Sequence, residues 1–380
     1  MHTLTLVTVD LPKIEEEPIV DLAIQNLLEE CNIKKKKLPN NFMLDIHIEE
    51  LNNRQNAFSR AVETEIGSIM EPYGQNSEEF YVFDDRTDEL KAEYENGAAD
   101  CIKLPNGKIV STYQYPLYGK FVIRDGLVYK KNFGQLKHEK RNKQAKKMTA
   151  LPNLPYKKRY KTLGEFAEDA KGMEYDEESD GYGYWYNPNA FWDWYSIGGR
   201  WPRMFLVKED CKDYSVGERS WTCRDSEFKA PEGYKWTAAA RKKDIEWNAM
   251  NDWRVKCETE YFFQFENAFK TGDYPKDWHI QITDNKILRF GEVMYIKDET
   301  LEHYLRRNGL YEKYKYPNIA GAYLHQGECH DRYDYWQSVK SRKKYNRMQR
   351  RRNRIWRRQL DSLIDSLSDD TVLVGVDCHM

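Results

Sequence analysis

The sequence predicts an α+β protein: mixed or antiparallel sheets with flanking helices, in which the N- and C-terminal strands share one sheet. Three observations carry this reading. Both ends of the 380-residue chain have the pattern of apolar strands, TLTLVTV at 3–9 and TVLVGVDCH at 371–379. Strand-like runs are dispersed among helical ones instead of alternating with them one for one. Tight turns at Asp125-Gly126 and Asp284-Asn285 join neighbouring runs into hairpins, and hairpins are antiparallel.

Residues 3–9 mostly alternate Thr with Leu or Val, slip once at Leu6-Val7, and stop at Pro12. From Glu15 to Glu30 the apolar positions Ile19, Val20, Ala23, Ile24, Leu27 and Leu28 recur at helical spacing. The run Lys34–Lys37 reads as a solvated loop. A strand is expected at Phe42–Ile48 and a mostly polar helix around Asn52–Met70. Strands follow at Phe80–Phe83, Cys101–Leu104, Ile109–Tyr115 and Phe121–Tyr129. Residues 200–208 make another strand, Cys211–Trp236 is loop-like, and Thr237 opens a helix to about Phe269. Further strands are expected at Trp278–Thr283, Lys286–Phe290, Glu292–Ile296 and Ile319–His325. A long basic helix then precedes the C-terminal strand. The whole reads as one α+β assembly with insertions, subdivided into 1–130, a charged insertion 131–180, and a motif-bearing part 181–380.

Composition narrows the function. Charged residues are 32% of the chain, yet the formal net charge is −2, because the charges are segregated. Residues 130–161 hold twelve Lys and Arg against one acid, and 165–180 hold eight acids against one Lys. Adjacent blocks of opposite sign are expected to pair with each other. Lys340–Arg358 adds eleven basic residues and no acid, which leaves −13 for the remainder. No apolar run approaches the roughly 18 residues of a membrane span, so no membrane partner is expected. The start lacks the pattern of an export signal, and seven cysteines without CxxC spacing argue against a disulfide scaffold. A cytoplasmic setting follows as the expectation. No Walker loop, HExxH or GxSxG is present, so neither a cofactor nor a metal is implied.

The densest signal is YGYWYNPNAFWDWYSIGGRWPRMF at 182–205, where ten of twenty-four residues are aromatic. Asn187-Pro188 has the chemistry of a helix start, so a short helix Pro188–Ser196 is expected, ended by Gly198-Gly199. Two readings stand side by side. The aromatics form a rigid corner, with Asp193 pairing Arg200 or Arg203. Alternatively, the block binds a small anionic or nucleotide ligand through Asn187, Asn189, Trp192, Asp193, Trp194, Tyr195, Gly198, Gly199, Arg200 and Trp201. Rings would stack a base, while glycine N–H groups and an Arg fork would take a phosphate.

Two other stretches carry chemistry. VDCHM ends the chain; alternation sends Asp377 and His379 to one face and Cys378 to the other. An Asp and a His so placed suit a metal or a base with its orienting carboxylate, or simply a polar strand edge. HQGECHDRYDYW adds His325 and His330, which join His379 only if their strands are neighbours. The basic helix offers Arg347, Arg350, Arg351, Arg354 and Arg358 to nucleic-acid phosphates, or to an acidic face of this chain or of a second copy.

The strings GYGYWYNPNAFWDWYSIGGRW and DDTVLVGVDCHM resemble a family of bacteriophage and bacterial proteins. Its members carry a Tyr-Gly-Tyr-Trp-x-Asn-Pro-Asn-Ala-Lys-Trp-Asp-Trp-Tyr-x-x-Gly-Gly-Arg-Trp block and end near a Val-Asp-Cys-His strand. The match covers Asn187, Pro188, Asn189, Trp192 to Tyr195, Gly198 to Trp201, and Asp377 to His379. Phe191 stands where the pattern has Lys, so no role of that Lys transfers. The resemblance spans about 35 residues and implies a phage-type context without an assigned activity. In that context the ligand would be a host signalling nucleotide, bound or cleaved.

Overall fold

The computed structural model describes residues 2–12, 22–38, 42–115, 117–131, 139–219, 230–310, 315–317, 320–331 and 342–379. The chain forms two compact units, one from Met1–Gln75 with Phe191–Met380 and one from Asn76–Ala190. The compositional changes at 130/131 and 180/181 both fall inside the second unit. Among the described residues, no helix is long and apolar enough to cross a membrane.

The first unit is built on a mixed sheet whose centre is the two chain ends. His2–Val9 and Val372–His379 pair antiparallel along their whole length, from His2 opposite His379 to Val9 opposite Val372. On the far side of the N-terminal strand lies Ala322–His325, parallel to it, followed by Glu328–Asp331. The other edge of the C-terminal strand is shared. Ala239–Arg241 pairs with its first half and Trp194–Gly199 with its second. Every described residue from Val372 to Cys378 is buried. The even positions Val372, Val374, Val376 and Cys378 join a core with Phe58, Val62, Ile66 and Met70 of the helix Ala57–Met70. On the opposite face Leu373 packs with Trp356, Leu360 and Ile364 of the helix Arg342–Ser366. A strand covered on both faces needs apolar residues at every position, which is why its sequence is a continuous run.

A further part of this unit surrounds the helix Trp247–Thr271, with Phe262 and Phe265 packed on Ile287, Tyr295 and Tyr304. The second unit holds two cores, one around Ile102, Leu117, Phe121 and Val128, the other around Leu90, Tyr160 and Phe166.

Four expectations are corrected. Phe42–Gln55 is a helix, not a strand; it packs on the preceding helix Leu22–Lys37, and Lys35 pairs with Asp45 at 2.5 Å. The Lys34–Lys37 run is that helix's last turn, where cations complement the helix dipole. The start expected at Glu15 lies outside the described residues. The helix expected from Thr237 begins at Trp247, because Ala239–Arg241 is captured by the sheet. Arg241 is buried there with its guanidinium spent on Asp213 and on the carbonyls of Leu11, Pro12 and Asp370. Finally, the adjacent basic and acidic blocks do not neutralise each other. Among the described residues, one ion pair joins them, Arg159 to Asp169 at 3.4 Å.

Candidate functional site

The expected helix Pro188–Ser196 does not form. Asn187 instead closes an Asx turn: its side-chain oxygen accepts from Asn189 N–H at 2.9 Å, and its carbonyl accepts from Ala190 N–H. The boundary between the units then falls after Ala190, inside the aromatic block, so Asn187 and Asn189 belong to the second unit. Trp194–Gly199 is a strand antiparallel to the C-terminal one, with Trp194 opposite His379 and Ser196 opposite Asp377. Backbone pairing with a fully buried strand outweighs a local helix-start signal.

Register and alternation now decide which side chains meet. Trp194, Ser196, Asp377, His379 and His2 all lie on one face at one end of the sheet. Tyr195 and Ile197 point to the other face, into the core with Val376 and Cys378. There burial raises the Tyr195 phenol above its ordinary value. Trp192, only 3% exposed, packs with Tyr73, Phe191 and Tyr195 and is core rather than platform.

On the polar face two imidazoles are each anchored by a carboxylate. His2 Nδ1 bonds Asp377 Oδ1 at 2.7 Å, and His379 Nδ1 bonds both oxygens of Asp193, at 2.8 and 2.9 Å. The two rings meet edge to face with centroids 4.9 Å apart. Trp194, 47% exposed, stacks on His379 at 5.4 Å and meets the His2 ring edge-on at 5.2 Å. Loss of solvent pushes the Asp193 carboxyl up. The hydrogen bond and charge of His379, with the Trp194 N–H at 2.8 Å, hold it below its usual value nonetheless. Asp377 is only 1% exposed, so its charge needs internal donors. It has them: Oδ1 faces His2, and Oδ2 accepts the backbone N–H of Arg200 at 3.0 Å.

That last bond gives the Gly-Gly-Arg turn its meaning. Gly198 and Gly199 both have left-handed angles, φ 79° and 51°, and Trp201 N–H closes the turn onto Gly198 O at 2.7 Å. A Cβ on Gly199 would lie 2.4 Å from Asp377 Cβ and 2.6 Å from Ser196 Oγ. The Arg200 backbone N–H at this turn is aimed at the protein's own carboxylate. The Arg200 side chain is exposed.

His330 stays apart. It sits opposite Tyr323, which is level with Leu6 and Gly375. His379 is thus four residues along and three strands across, on the order of 13 Å and 14 Å respectively. His325 bonds Thr8 Oγ1 at 2.7 Å, and His330 lies 3.3 Å from Glu328. Among the described residues no three His, Cys, Asp or Glu side chains form a metal-ligand set. On the basic helix, Arg351, Arg354 and Arg358 are exposed, while Arg357 is buried against the Tyr316 carbonyl and pairs with Asp361. The side chains of Arg347 and Arg350 lie outside the described residues.

Sequence reasoning missed His2. Terminal strands expected in one sheet gave no register; the observed antiparallel pairing is what brings residue 2 level with residue 379. No family model, curated protein or solved structure matches this chain.

Proposed function

We propose that this protein binds a nucleotide-like anionic ligand at the His2–His379 end of the sheet and cleaves a phosphodiester in it by general acid–base catalysis. One observation carries the reading: two imidazoles in ring contact, each tied through Nδ1 to its own carboxylate. A carboxylate on Nδ1 fixes the ring and its tautomer, which turns Nε2 outward as the working nitrogen. Among the described residues, neither Nε2 has a hydrogen-bond partner. One imidazole takes the proton of the attacking hydroxyl, a ribose hydroxyl or water, as its oxygen bonds to phosphorus. The other, as imidazolium, gives its proton to the departing oxygen as that P–O bond breaks. The exposed Trp194 ring supplies a stacking surface for a base, and Arg200, exposed and tied by its backbone N–H to Asp377, is the cation suited to phosphate. Because the aromatic block resembles a phage family, cyclic signalling nucleotides are the first substrates to test.

The test is incubation with cyclic mono-, di- and oligonucleotides, products separated by chromatography and weighed by mass spectrometry, alongside melting curves. His2→Ala and His379→Ala should each slow cleavage by roughly 10²–10⁴-fold and leave the ligand-induced rise in melting temperature. Asp377→Asn and Asp193→Asn should each slow cleavage, because each removes the carboxylate that orients one imidazole. Arg200→Lys keeps the backbone N–H on Asp377, so the fold should survive while ligand affinity falls, since Lys lacks the planar fork. A wild-type protein that neither cleaves nor is stabilised by any of these nucleotides removes the proposal.

A further inference from the structure

The second unit carries a separate feature, the turn STYQYPLYGK at 111–120. Tyr113, Tyr115 and Tyr118 are 79, 86 and 68% exposed, although large rings normally find cover. The reason is visible in what the turn turns inward. Leu117 is buried in the core with Phe121 and Val128. Gln114 is tied at both ends of its amide, accepting from Arg159 at 2.5 Å and donating to Asp169 at 3.0 Å. Successive turns bond Gln114 to Ser111, Leu117 to Gln114 and Lys120 to Leu117. With Gln114 and Leu117 anchored, the three rings face solvent from tethered positions on either side, so ordering them for a partner costs little.

The segment that carries the turn is strongly basic, although Asp169 of the acidic stretch touches the turn through Gln114. Residues 98–155 hold twelve Lys and Arg and three acids. Of those acids, Glu139 pairs with Arg124 at 2.7 Å. Lys130, Lys131, Lys140, Arg141, Lys143 and Lys147 are exposed, and among the described residues none has a carboxylate partner. They sit on the same small core as the turn. Lys131 N–H bonds the Lys120 carbonyl, Lys130 bridges Lys140, and Ala145 of the helix Lys143–Lys146 packs with Leu117 and Phe121. Lys120 Nζ lies over the Tyr115 ring at 5.9 Å.

Solvated rings and unpaired cations carried on one small core match a polymer that alternates flat bases with phosphates. We infer that this face of the second unit binds single-stranded nucleic acid without base specificity, the tyrosines stacking bases and the lysines taking phosphates. A duplex hides its base faces and would use the cations alone. An acidic protein would do the same.

The experiment is fluorescence anisotropy of the full chain with labelled oligo(dT) of about 20 nucleotides, and with the matching duplex, across a salt series. Replacing Tyr113, Tyr115 and Tyr118 together by Ala should weaken the single strand at least tenfold and leave the duplex unchanged. Replacing Lys130, Lys131, Lys143 and Lys147 by Gln should weaken both and flatten the salt dependence. All seven side chains are exposed, so melting temperatures should match wild type. A second set, Arg351, Arg354 and Arg358 to Gln, should bind normally. The inference is overturned if oligo(dT) is not bound at low salt, if the tyrosine variant binds it as wild type does, or if the helix set abolishes binding. None of these outcomes bears on the histidines, so this inference and the proposed cleavage fail separately.

Discussion

Asp377 is where three distant stretches of chain become one site. Its carboxylate is shared between His2 and the Arg200 backbone, and the space for it exists because residue 199 has no side chain. Gly199→Ala would combine a left-handed backbone at φ 51° with a Cβ driven into Asp377. Strain and overpacking together should cost about 2–4 kcal/mol. Gly198→Ala, whose nearest clash is 3.1 Å, should cost less. Chemical denaturation of the two variants checks both the size and the order. Next along the strand, Cys378 faces the opposite core, and burial pushes its thiol up from 9.0 to about 12. In the unfolded chain the thiol loses its proton from about pH 9, while the folded chain keeps it until about 12. The folded state then binds more protons, so stability falls as pH rises through this window, by up to about 1.4 kcal/mol per unit. Cys378→Ala should flatten that slope in denaturation curves at about pH 9, 10 and 11, within the window.

At the scale of elements, strand ends and helix faces show how far local pattern reaches. The terminal strands were legible because continuous apolar runs have few other uses in a short segment. The strand Trp194–Gly199 was misread as helix although its alternation of Trp194 and Ser196 with Tyr195 and Ile197 is a strand pattern. Asn187-Pro188 spoke for a helix locally, and the competing signal, an open edge on Val376–His379, lay almost two hundred residues away. Ala239–Arg241 was lost for the same reason: three residues cannot advertise a strand, and a partner strand made them one. The basic helix was read correctly as a helix, and its apolar stripe of Trp356, Leu360 and Ile364 covers the sheet. That docking divides its arginines into a buried Arg357 and an exposed row of Arg351, Arg354 and Arg358. A helix committed along one face to its own core offers a partner only the other.

For the whole molecule, the second unit is an insertion whose two ends leave the first at adjacent points. Gly74 bridges Trp192, and Gln75 N–H bonds the Trp192 carbonyl at 2.7 Å. Removing 76–190 and joining Gln75 to Phe191 by a short glycine-serine linker should therefore leave a folded first unit, since loop closure between near ends costs little. A single cooperative melt, with His2 and His379 ring resonances unchanged by NMR, is the expected result. An unfolded product would mean the first unit depends on the insertion. The sequence by itself determined the α+β class, the sharing of one sheet by the chain ends, and the basic helix. Periodicity and composition are local properties, and these features are written locally. The tertiary structure alone decided that Trp192 is core, that His330 stands apart, that the Gly-Gly-Arg turn holds Asp377, and that His2 meets His379. Each depends on strand register, and register is fixed by partners far away in sequence: a shift of one residue would send every one of these side chains to the other face.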